Sequence, residues 1–246
     1  MLTKANSSIL IPARMESSRF PGKPLAPING IPLVIYCAKN ALNTGYNTLV
    51  CTDSEEILSV CKFHNVDAIK TPPCNTGTDR IAWSADTLNS EYLINLQGDE
   101  PLLTADVLHD FIDKCNQFNT FNDCIYTGVS RVSSQSAFDP NNVKCVLNEN
   151  GEVLYMSRKP LLSSSDPDKP YFKQTGLYAM SKSTLLDFSR CKQSQLEILE
   201  KIELLRWIEG GNIVYGCEQN ITSISVDTPL DFIQVLDFLK VEHGEQ

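Results

Sequence analysis

The sequence has no long apolar run and little positive charge. No stretch of its 246 residues approaches the roughly 18 apolar residues that span a bilayer. The short apolar stretch at residues 9–12 is too small for the core of a signal peptide. Its 21 Lys and Arg face 30 Asp and Glu, a formal net charge of -9, so neither nucleic acid nor an anionic membrane is expected as a partner. A cytoplasmic globular protein is therefore predicted.

Histidine is scarce, and the cysteines lack the spacing of a metal site or a disulfide framework. The chain has three His and nine Cys, an odd number, with no Cys-x-x-Cys pair. Structural zinc sites need closely spaced Cys or His, and disulfide frameworks need cysteines that pair. The cysteines are therefore interpreted as reduced thiols, most of them in the core of a cytoplasmic protein.

The order of the apolar patterns predicts an α/β fold. Short apolar runs alternate with helical periodicity as far as residue 117, which indicates a parallel sheet with helices on both faces. No repeat or linker divides the chain, so residues 1–246 are predicted to form one domain with a mixed, mostly parallel central sheet flanked by helices. Ligands of such sheets bind at the loops that follow the carboxyl ends of strands. The second half is predicted to contain strands at 125–132, 143–147, 153–156 and 174–180, a mobile loop at 160–170 and a helix at 195–209.

The loop after the first predicted strand is rich in cations. Residues 1–40 hold five bases against one acid, whereas residues 197–246 hold ten acids against three bases. Arg14, Arg19 and Lys23 are separated by small residues and a glycine, a pattern that can wrap a triphosphate. The Walker A and Gly-x-Gly-x-x-Gly patterns are both absent, which disfavours a P-loop enzyme and a dinucleotide site. The loop therefore predicts a site for a small anion.

Two aspartates are candidate Mg²⁺ ligands. Asp99 ends a predicted buried strand, beside a glycine that lets a ligand approach the backbone. Asp227 precedes a predicted helix, where spacing alone favours a role as helix N-cap over metal binding. An Asp–Asp pair that holds Mg²⁺ against nucleotide phosphates would suit phosphoryl or nucleotidyl transfer.

These motifs resemble one family over nearly the whole chain. Residues 11–25 resemble the signature of sugar-activating nucleotidyltransferases, and more narrowly that of the 3-deoxy-manno-octulosonate cytidylyltransferases. The related sialate enzymes have a Gly-Gly-Ser-Lys-type loop, which residues 15–19 do not resemble. The other motifs follow in the family's order and at about its spacing: Gly77-Thr78-Asp79-Arg80, Leu96-Gln97-Gly98-Asp99-Glu100-Pro101, Val143-Lys144, Ser157-Arg158, Gly176-Leu177-Tyr178, Leu196-Glu197, Glu200, Glu203, Leu205-Arg206 and Val226-Asp227-Thr228-Pro229.

The resemblance implies a GT-A-like nucleotidyltransferase fold, a homodimer, and CTP with Mg²⁺ as cosubstrate and metal. The acceptor would be an acidic 3-deoxy sugar used in lipopolysaccharide biosynthesis. Asp99 and Asp227 would ligate Mg²⁺, and with Arg14 and Lys23 they would form the catalytic group. The remaining roles also follow by position: CTP would be bound by Arg14, Arg19, Lys23, Gly77, Thr78, Arg80 and Gln97, and the sugar acid by Gln97, Lys144, Arg158, Gln174, Tyr178 and Glu203.

Two positions depart from the family's pattern. Gln174 stands where the family typically has His, and Leu204 stands where it has Gln. Because a site that lacks a polar partner usually prefers a substrate altered at the matching group, the acceptor could be a variant such as the 8-amino acid or another nonulosonate-like acid. A nucleotide-binding module without turnover is the non-enzymatic alternative, but the presence of Asp99 and Asp227 argues against it.

Overall fold

The centre of the protein is a nine-stranded sheet, seen in a computed structural model that describes residues 1–118, 120–161 and 171–242. The strands are β1 Ser7–Ala13, β2 Pro27–Ile28, β3 Ile31–Pro32, β4 Asn47–Thr52, β5 Ala68–Lys70, β6 Tyr92–Leu96, β7 Cys124–Val132, β8 Lys144–Leu147, β9 Val153–Ser157, β10 Tyr171–Ser181 and β11 Ile213–Gln219. The helices are α1 Leu33–Leu42, α2 Glu55–Phe63, α3 Gly77–Ala85, α4 Ala105–Gln117, α5 Ser134–Ala137, α6 Lys182–Arg190, α7 Gln195–Glu200, α8 Leu205–Glu209 and α9 Pro229–Glu242.

The strand order places two loops side by side at one edge of the sheet. The main path runs β11-β7-β10-β6-β1-β4-β5, and β8 pairs with β10 and β9. β1 is parallel to β4 and β6, whereas β10 runs antiparallel to β6, β7 and β8. The predicted mixed, mostly parallel sheet flanked by helices is confirmed. Because β1 and β6 are parallel neighbours, the loops that follow them leave from the same edge.

Strand β1 shows how the sheet is supported on both faces. Ile9, Leu10 and Ile11 are all fully buried. Ile9 and Ile11 join the apolar cluster that contains residues of α1, α2 and α4, while Leu10 joins the cluster that contains residues of α3, α6 and α8. Burying each such side chain contributes roughly 1.5–3 kcal/mol. The strand is therefore a rigid support for the loop that follows it.

The helix predicted at 195–209 is two helices in the structure. α7 ends at Glu200, because the next residue, Lys201, has a φ of 55° in the left-handed region and so cannot continue a right-handed helix. α8 begins only at Leu205. Helix α1 begins at Leu33, directly after Ile31–Pro32, which pairs with Pro27–Ile28 in a short hairpin.

The loop predicted at 160–170 lies, from residue 162 onward, outside the described residues. All nine cysteines are free thiols, and seven of them are buried. Cys74 is half-buried and Cys191 is exposed. Within the described ranges, no helix is both long enough and apolar enough to cross a bilayer.

Candidate active site

The loop after β1 brings Lys23 to two carboxylates. Gly22 has a φ of 73°, which glycine adopts at little cost, and it opens the short 3-10 helix Lys23–Leu25. The Lys23 Nζ lies 2.7 Å from Asp99 Oδ2 and 3.5 Å from Asp227 Oδ1. Burial lowers the pKa of Lys23, but the two carboxylates outweigh burial, and the pKa is raised above its ordinary value. Lys23 is therefore held as a cation between two acids.

Asp99 lies in the loop after β6, which runs close against β1. A Cβ at Gly98 would lie 3.0 Å from the backbone oxygen of Pro12, so this approach requires glycine. The carbonyl oxygen of Asp99 accepts a hydrogen bond from the Val226 N–H at 2.9 Å. That bond ties the loop after β6 to the segment that carries Asp227.

Thr228, not Asp227, caps helix α9. The Thr228 hydroxyl accepts from the Asp231 N–H at 3.3 Å, and the Asp231 carboxylate accepts from the Thr228 N–H at 2.7 Å. This reciprocal arrangement is a capping box. The interpretation of Asp227 as the cap, which spacing favoured, is therefore wrong. The Asp227 carboxylate instead lies 3.0 Å from the guanidinium of Arg19.

Asp99 and Asp227 form a donor set that fits Mg²⁺. Mg²⁺ prefers hard oxygen ligands and is usually held by one or two carboxylates together with substrate phosphates. Both carboxylates face the Lys23 ammonium, which shows that they converge on one position of positive charge. In the part of the chain that the structure describes, no group of three or more His, Cys, Asp or Glu could hold a metal. A metal on this pair would therefore rely on phosphate oxygens to complete its coordination.

A cavity of about 270 Å³ opens beside this cluster. The Arg80 side chain on its wall is almost fully buried and donates to Asp53 at 2.8 Å and to Thr71 at 2.5 Å. Thr78 lies behind the wall, where its hydroxyl accepts from the Asn95 amide at 3.2 Å. The predicted residues that line this cavity are Arg14, Arg19, Lys23, Gly77, Arg80, Gln97, Asp99 and Asp227.

A second cavity, of about 600 Å³, adjoins the first and shares part of its lining. Both are lined by Arg14, Arg19, Gln97, Asp99 and Asp227, so ligands in the two cavities would meet at the carboxylate pair. The residues predicted to bind the sugar acid that line the second cavity are Gln97, Arg158, Gln174, Tyr178 and Glu203.

Most of the polar groups of the second cavity are held in place by neighbours. The Gln174 amide donates to the Thr127 hydroxyl at 3.3 Å, and the Glu203 carboxylate accepts from the Thr78 N–H at 3.2 Å. Burial raises the pKa of Glu203 and the pKa of Tyr178 above their ordinary values. The side chains of Glu203 and Tyr178 are therefore buried in the cavity wall, and hydrogen bonds hold Gln174 and Glu203 in place.

Lys144 and Leu204 do not lie at the cavities. The Lys144 ammonium donates to the carbonyl oxygens of Asp139 at 3.0 Å and Asn142 at 2.7 Å, and also to that of Arg158. Lys144 is only 1% exposed and lines neither cavity, so this cation joins the loop at 139–142 to the segment that follows β9. Leu204 is fully buried in the apolar core. Of the two departures from the family's pattern, Gln174 alone lines a cavity.

Glu100 and Lys173 are site residues that the sequence did not predict. Glu100 lines the second cavity, and burial raises its pKa to about 7. The Ser223 hydroxyl donates to its carboxylate at 2.9 Å, while the Lys173 ammonium, also at this cavity, donates to the Ser223 carbonyl at 2.9 Å. A Cβ at Gly176 would lie 2.6 Å from the Glu100 Cγ, so glycine leaves room for this acid. The only sequence signal was its position next to Asp99.

The histidines in the described ranges lie away from both cavities. His64 packs edge-on against the Phe63 ring, and His109 lies near the Tyr46 ring. His243 lies outside the described residues. The chemistry of the described site therefore rests on carboxylates, amides and cations.

Several known proteins resemble this chain in sequence and in fold. The cytidylyltransferase family model matches residues 8–221. A 3-deoxy-manno-octulosonate cytidylyltransferase of Wolinella succinogenes is 37% identical over 238 residues, 93% of this chain and 97% of the relative. An 8-amino-3,8-dideoxy-manno-octulosonate cytidylyltransferase of Shewanella halifaxensis is 35% identical over 233 residues, 92% of this chain and 95% of the relative. The solved CMP:2-keto-3-deoxy-manno-octonic acid synthetase complexed with CTP has a TM-score of 0.87 at 30% identity, covering 96% of this chain and 99% of that chain. This chain therefore belongs to the cytidylyltransferase family, and within it to the group of the 3-deoxy-manno-octulosonate cytidylyltransferases.

Proposed function

We propose that this protein transfers the cytidylyl group of CTP to 3-deoxy-manno-octulosonate (Kdo) or a close variant, for lipopolysaccharide biosynthesis. The observation that carries the proposal is the Asp99–Asp227 pair, which lines both cavities and holds Lys23 on the side of the first cavity. The relatives named for this reaction, which align over nearly the whole chain, support it.

CTP would occupy the first cavity, with its triphosphate on the loop after β1. Arg14 and Arg19 can each offer a planar fork to phosphate oxygens, and Lys23 offers a point charge. Gly77 begins α3 and lines the same cavity, so the start of that helix would lie beside the nucleotide. A protein with a net charge of -9 repels an anionic triphosphate, and these three cations would offset that repulsion at the site.

The sugar acid would occupy the second cavity. Arg158 offers positive charge, and its guanidinium is fixed by a 3.0 Å hydrogen bond from Nε to the Glu200 carbonyl. Gln97, Gln174 and Tyr178 offer polar groups that suit the hydroxyls of a sugar. The anomeric hydroxyl would then face the carboxylate pair.

The reaction joins two anions, so charge compensation is its main requirement. The anomeric hydroxyl oxygen forms a bond to the α-phosphorus of CTP, the bond from that phosphorus to the pyrophosphate oxygen breaks and pyrophosphate leaves with its electron pair, and the hydroxyl proton passes to water. Arg14, Arg19 and Lys23 hold the phosphates and stabilise the charge that develops on them. Mg²⁺ held by Asp99 and Asp227 would supply Lewis-acid stabilisation and lower the pKa of a nearby hydroxyl. A histidine base is not required.

The acceptor is identified by a competition assay. Equal amounts of Kdo, its 8-amino analogue and N-acetylneuraminate are incubated with CTP and Mg²⁺, and the CMP-sugars are separated by mass. CMP-Kdo as the main product supports the proposal, whereas the 8-amino product would make Gln174 the candidate specificity residue. That second outcome has a precedent in the relative named for the 8-amino acid. If none of the three acids formed a CMP-sugar, the proposal would be wrong.

Three further properties belong to this proposal: Mg²⁺ as the metal, a homodimer and a cytoplasmic location. The Asp99–Asp227 donor set supports Mg²⁺. The nine free thiols support a reducing compartment. The homodimer rests on the family resemblance alone, and light scattering of the purified protein tests it by its mass, since one chain has 27.4 kDa.

A further inference from the structure

One charged motif of the sequence is not used by the proposed reaction. Arg206 on α8 is buried, with a side chain 2% exposed, yet it touches neither cavity among the described lining residues. It forms ion pairs with two carboxylates from different helices, Asp79 on α3 and Glu197 on α7. A buried cluster of one arginine and two carboxylates costs free energy unless each charged group is fully hydrogen-bonded.

The contacts of Arg206 meet that condition. Its Nε and one terminal nitrogen bind the Glu197 carboxylate at 2.8 and 2.7 Å, a bidentate fork. The guanidinium also donates to the two oxygens of Asp79 at 2.8 and 3.3 Å. The Phe188 ring lies beneath it, 4.5 Å from the guanidinium carbon to the ring centroid. Arg206 is thus fixed in one orientation.

The Asp79 side of this cluster reaches the nucleotide cavity. Asp79 and Thr76 cap the start of α3: the Asp79 N–H donates to the Thr76 hydroxyl at 3.1 Å, and that hydroxyl donates to the Asp79 carboxylate at 2.9 Å. Thr76 and Gly77 line the first cavity and also its boundary with the second. Holding Asp79 therefore holds the helix end that faces the nucleotide.

The Glu197 side reaches the sugar-acid cavity. Glu197 forms a capping box with Ser194 at the start of α7, and it lines the second cavity together with Ile198. A second bridge runs in parallel, because Glu203, just before α8, accepts from the Thr78 N–H of α3 at 3.2 Å. The walls of the two cavities are therefore joined through one buried arginine and one buried acid.

We propose that Arg206 is a positioning residue that couples the two substrate cavities, so that a change on α7 alters nucleotide binding at α3. The identity of the two ligands rests on the proposed function. Arg206 touches neither ligand and acts only through Asp79 and Glu197. When one group is bonded to the walls of two cavities, a ligand that shifts it from one cavity changes the free energy of binding in the other.

The matched test compares two acids of the same helix. Glu197→Gln alters the partner of Arg206. Glu200→Gln alters a carboxylate that, within the described part of the chain, accepts from Ser157 and Arg158 and not from α3. The probe is the α,β-methylene analogue of CTP, which cannot be cleaved, titrated calorimetrically with Mg²⁺ and without any acceptor. Glu197→Gln should weaken its binding about fivefold or more, and Glu200→Gln should leave it within about twofold.

Thermal unfolding separates positioning from simple loss of structure. A merely structural role for Glu197 would lower Tm while leaving the affinity for the analogue unchanged well below Tm. If Glu197→Gln does not fold, Arg206→Lys serves instead, because it keeps the charge but cannot bind both carboxylates as a fork. Arg206→Lys should weaken the binding of the analogue to a similar degree.

Two results would overturn the coupling: a folded Glu197→Gln or Arg206→Lys protein that binds the analogue like the wild type, or equal weakening by Glu200→Gln. Failure of the proposed function has a different signature. In that case the wild-type protein would bind the analogue but form no CMP-sugar with any acceptor, and the comparison of Glu197 with Glu200 would still decide the coupling.

Discussion

At the scale of single residues, the site is a small group of opposite charges whose geometry sets what each side chain can do. Lys23 lies 2.7 Å from Asp99 and 3.5 Å from Asp227, in a chain whose formal net charge is -9. The ammonium relieves the repulsion between the two acids and leaves positive charge at the cavity. The metal of a bound metal–triphosphate complex would compete with Lys23 for the same two carboxylates. The Lys23 ammonium would then be free to contact phosphate.

Lys23→Ala should raise the Kd for CTP roughly tenfold or more, since a hydrogen bond to a charged group contributes about 1.5–3 kcal/mol. The affinity of the variant should also depend less on salt, because one screened charge contact is gone. Calorimetry at low and high NaCl measures both effects. The matched control is Lys39→Ala, which removes an exposed cation of α1 and should change neither. An unchanged Kd in Lys23→Ala would contradict this role.

Glu203 should make the stability of the protein depend on pH. Burial raises its pKa in the folded state, so the folded protein keeps this proton at pH values where the unfolded chain has lost it. Stability from this group therefore falls as pH rises from the ordinary Glu pKa to the raised one, and it stays lower above that interval. Gln cannot titrate, yet it can still accept from the Thr78 N–H.

The free energy of unfolding of Glu203→Gln, relative to the wild type, should accordingly increase as the pH rises from the ordinary Glu pKa, about 4.3, to the raised pKa of Glu203. Urea denaturation over a series of pH values measures this difference. Glu56→Gln replaces an exposed carboxylate on α2, so its free energy of unfolding relative to the wild type should not change with pH. Parallel curves for Glu203→Gln and the wild type would show that burial does not hold the proton.

At the scale of elements, the break between α7 and α8 shapes the wall of the second cavity. Lys201 ends α7 with a φ of 55°, and its carbonyl accepts from the Arg158 guanidinium at 3.3 Å. The turn that follows carries Glu203, whose carboxylate reaches α3. A continuous helix over 195–209 would leave no such turn.

Substitutions at Lys201 should therefore move stability in opposite directions. Lys201→Gly should stabilise the protein by about 0.5 kcal/mol, because glycine adopts the left-handed region without the Cβ penalty but has a more flexible unfolded state. Lys201→Val should destabilise it by about 1–2 kcal/mol, since a β-branched residue is strained there. Chemical denaturation gives both values. Two changes of the same sign would mean that the backbone conformation at this position is not left-handed.

The sequence predicts those elements whose local pattern suffices. The apolar runs at β1 and β6, with the loops that follow them, predict Arg14, Lys23 and Asp99 as residues of the site. The end of α7 could not be predicted, because Lys201 gives none of the glycine signal that usually marks a left-handed cap. The orientation of Lys144 depends on the pairing of β8 with β9 and β10, and no local pattern records that register.

At the scale of the whole molecule, the sheet order assembles a site from segments far apart in the chain. The loops after β1 and β6 meet because these strands are parallel neighbours, and the segment before α9 joins them through the bond from Val226 to Asp99. Glu100 could not be foreseen, since its burial depends on β10 passing beside β6 with Gly176 at the point of contact. Sequence motifs thus name many of the residues, but the topology decides which of them face the two cavities.

The central claim is nucleotidyl transfer at the Asp99–Asp227 pair, and pyrophosphate release from CTP with Kdo and Mg²⁺ tests it most directly. The wild type should release pyrophosphate only when the acceptor is present. Asp99→Asn should reduce the rate by about 10²-fold or more while keeping Tm, because transition-state charge stabilisation of that order is lost. Asp106→Asn, an exposed aspartate of α4, is the matched control and should retain the wild-type rate. A wild-type rate in Asp99→Asn, or no acceptor-dependent release from the wild type, would contradict the account.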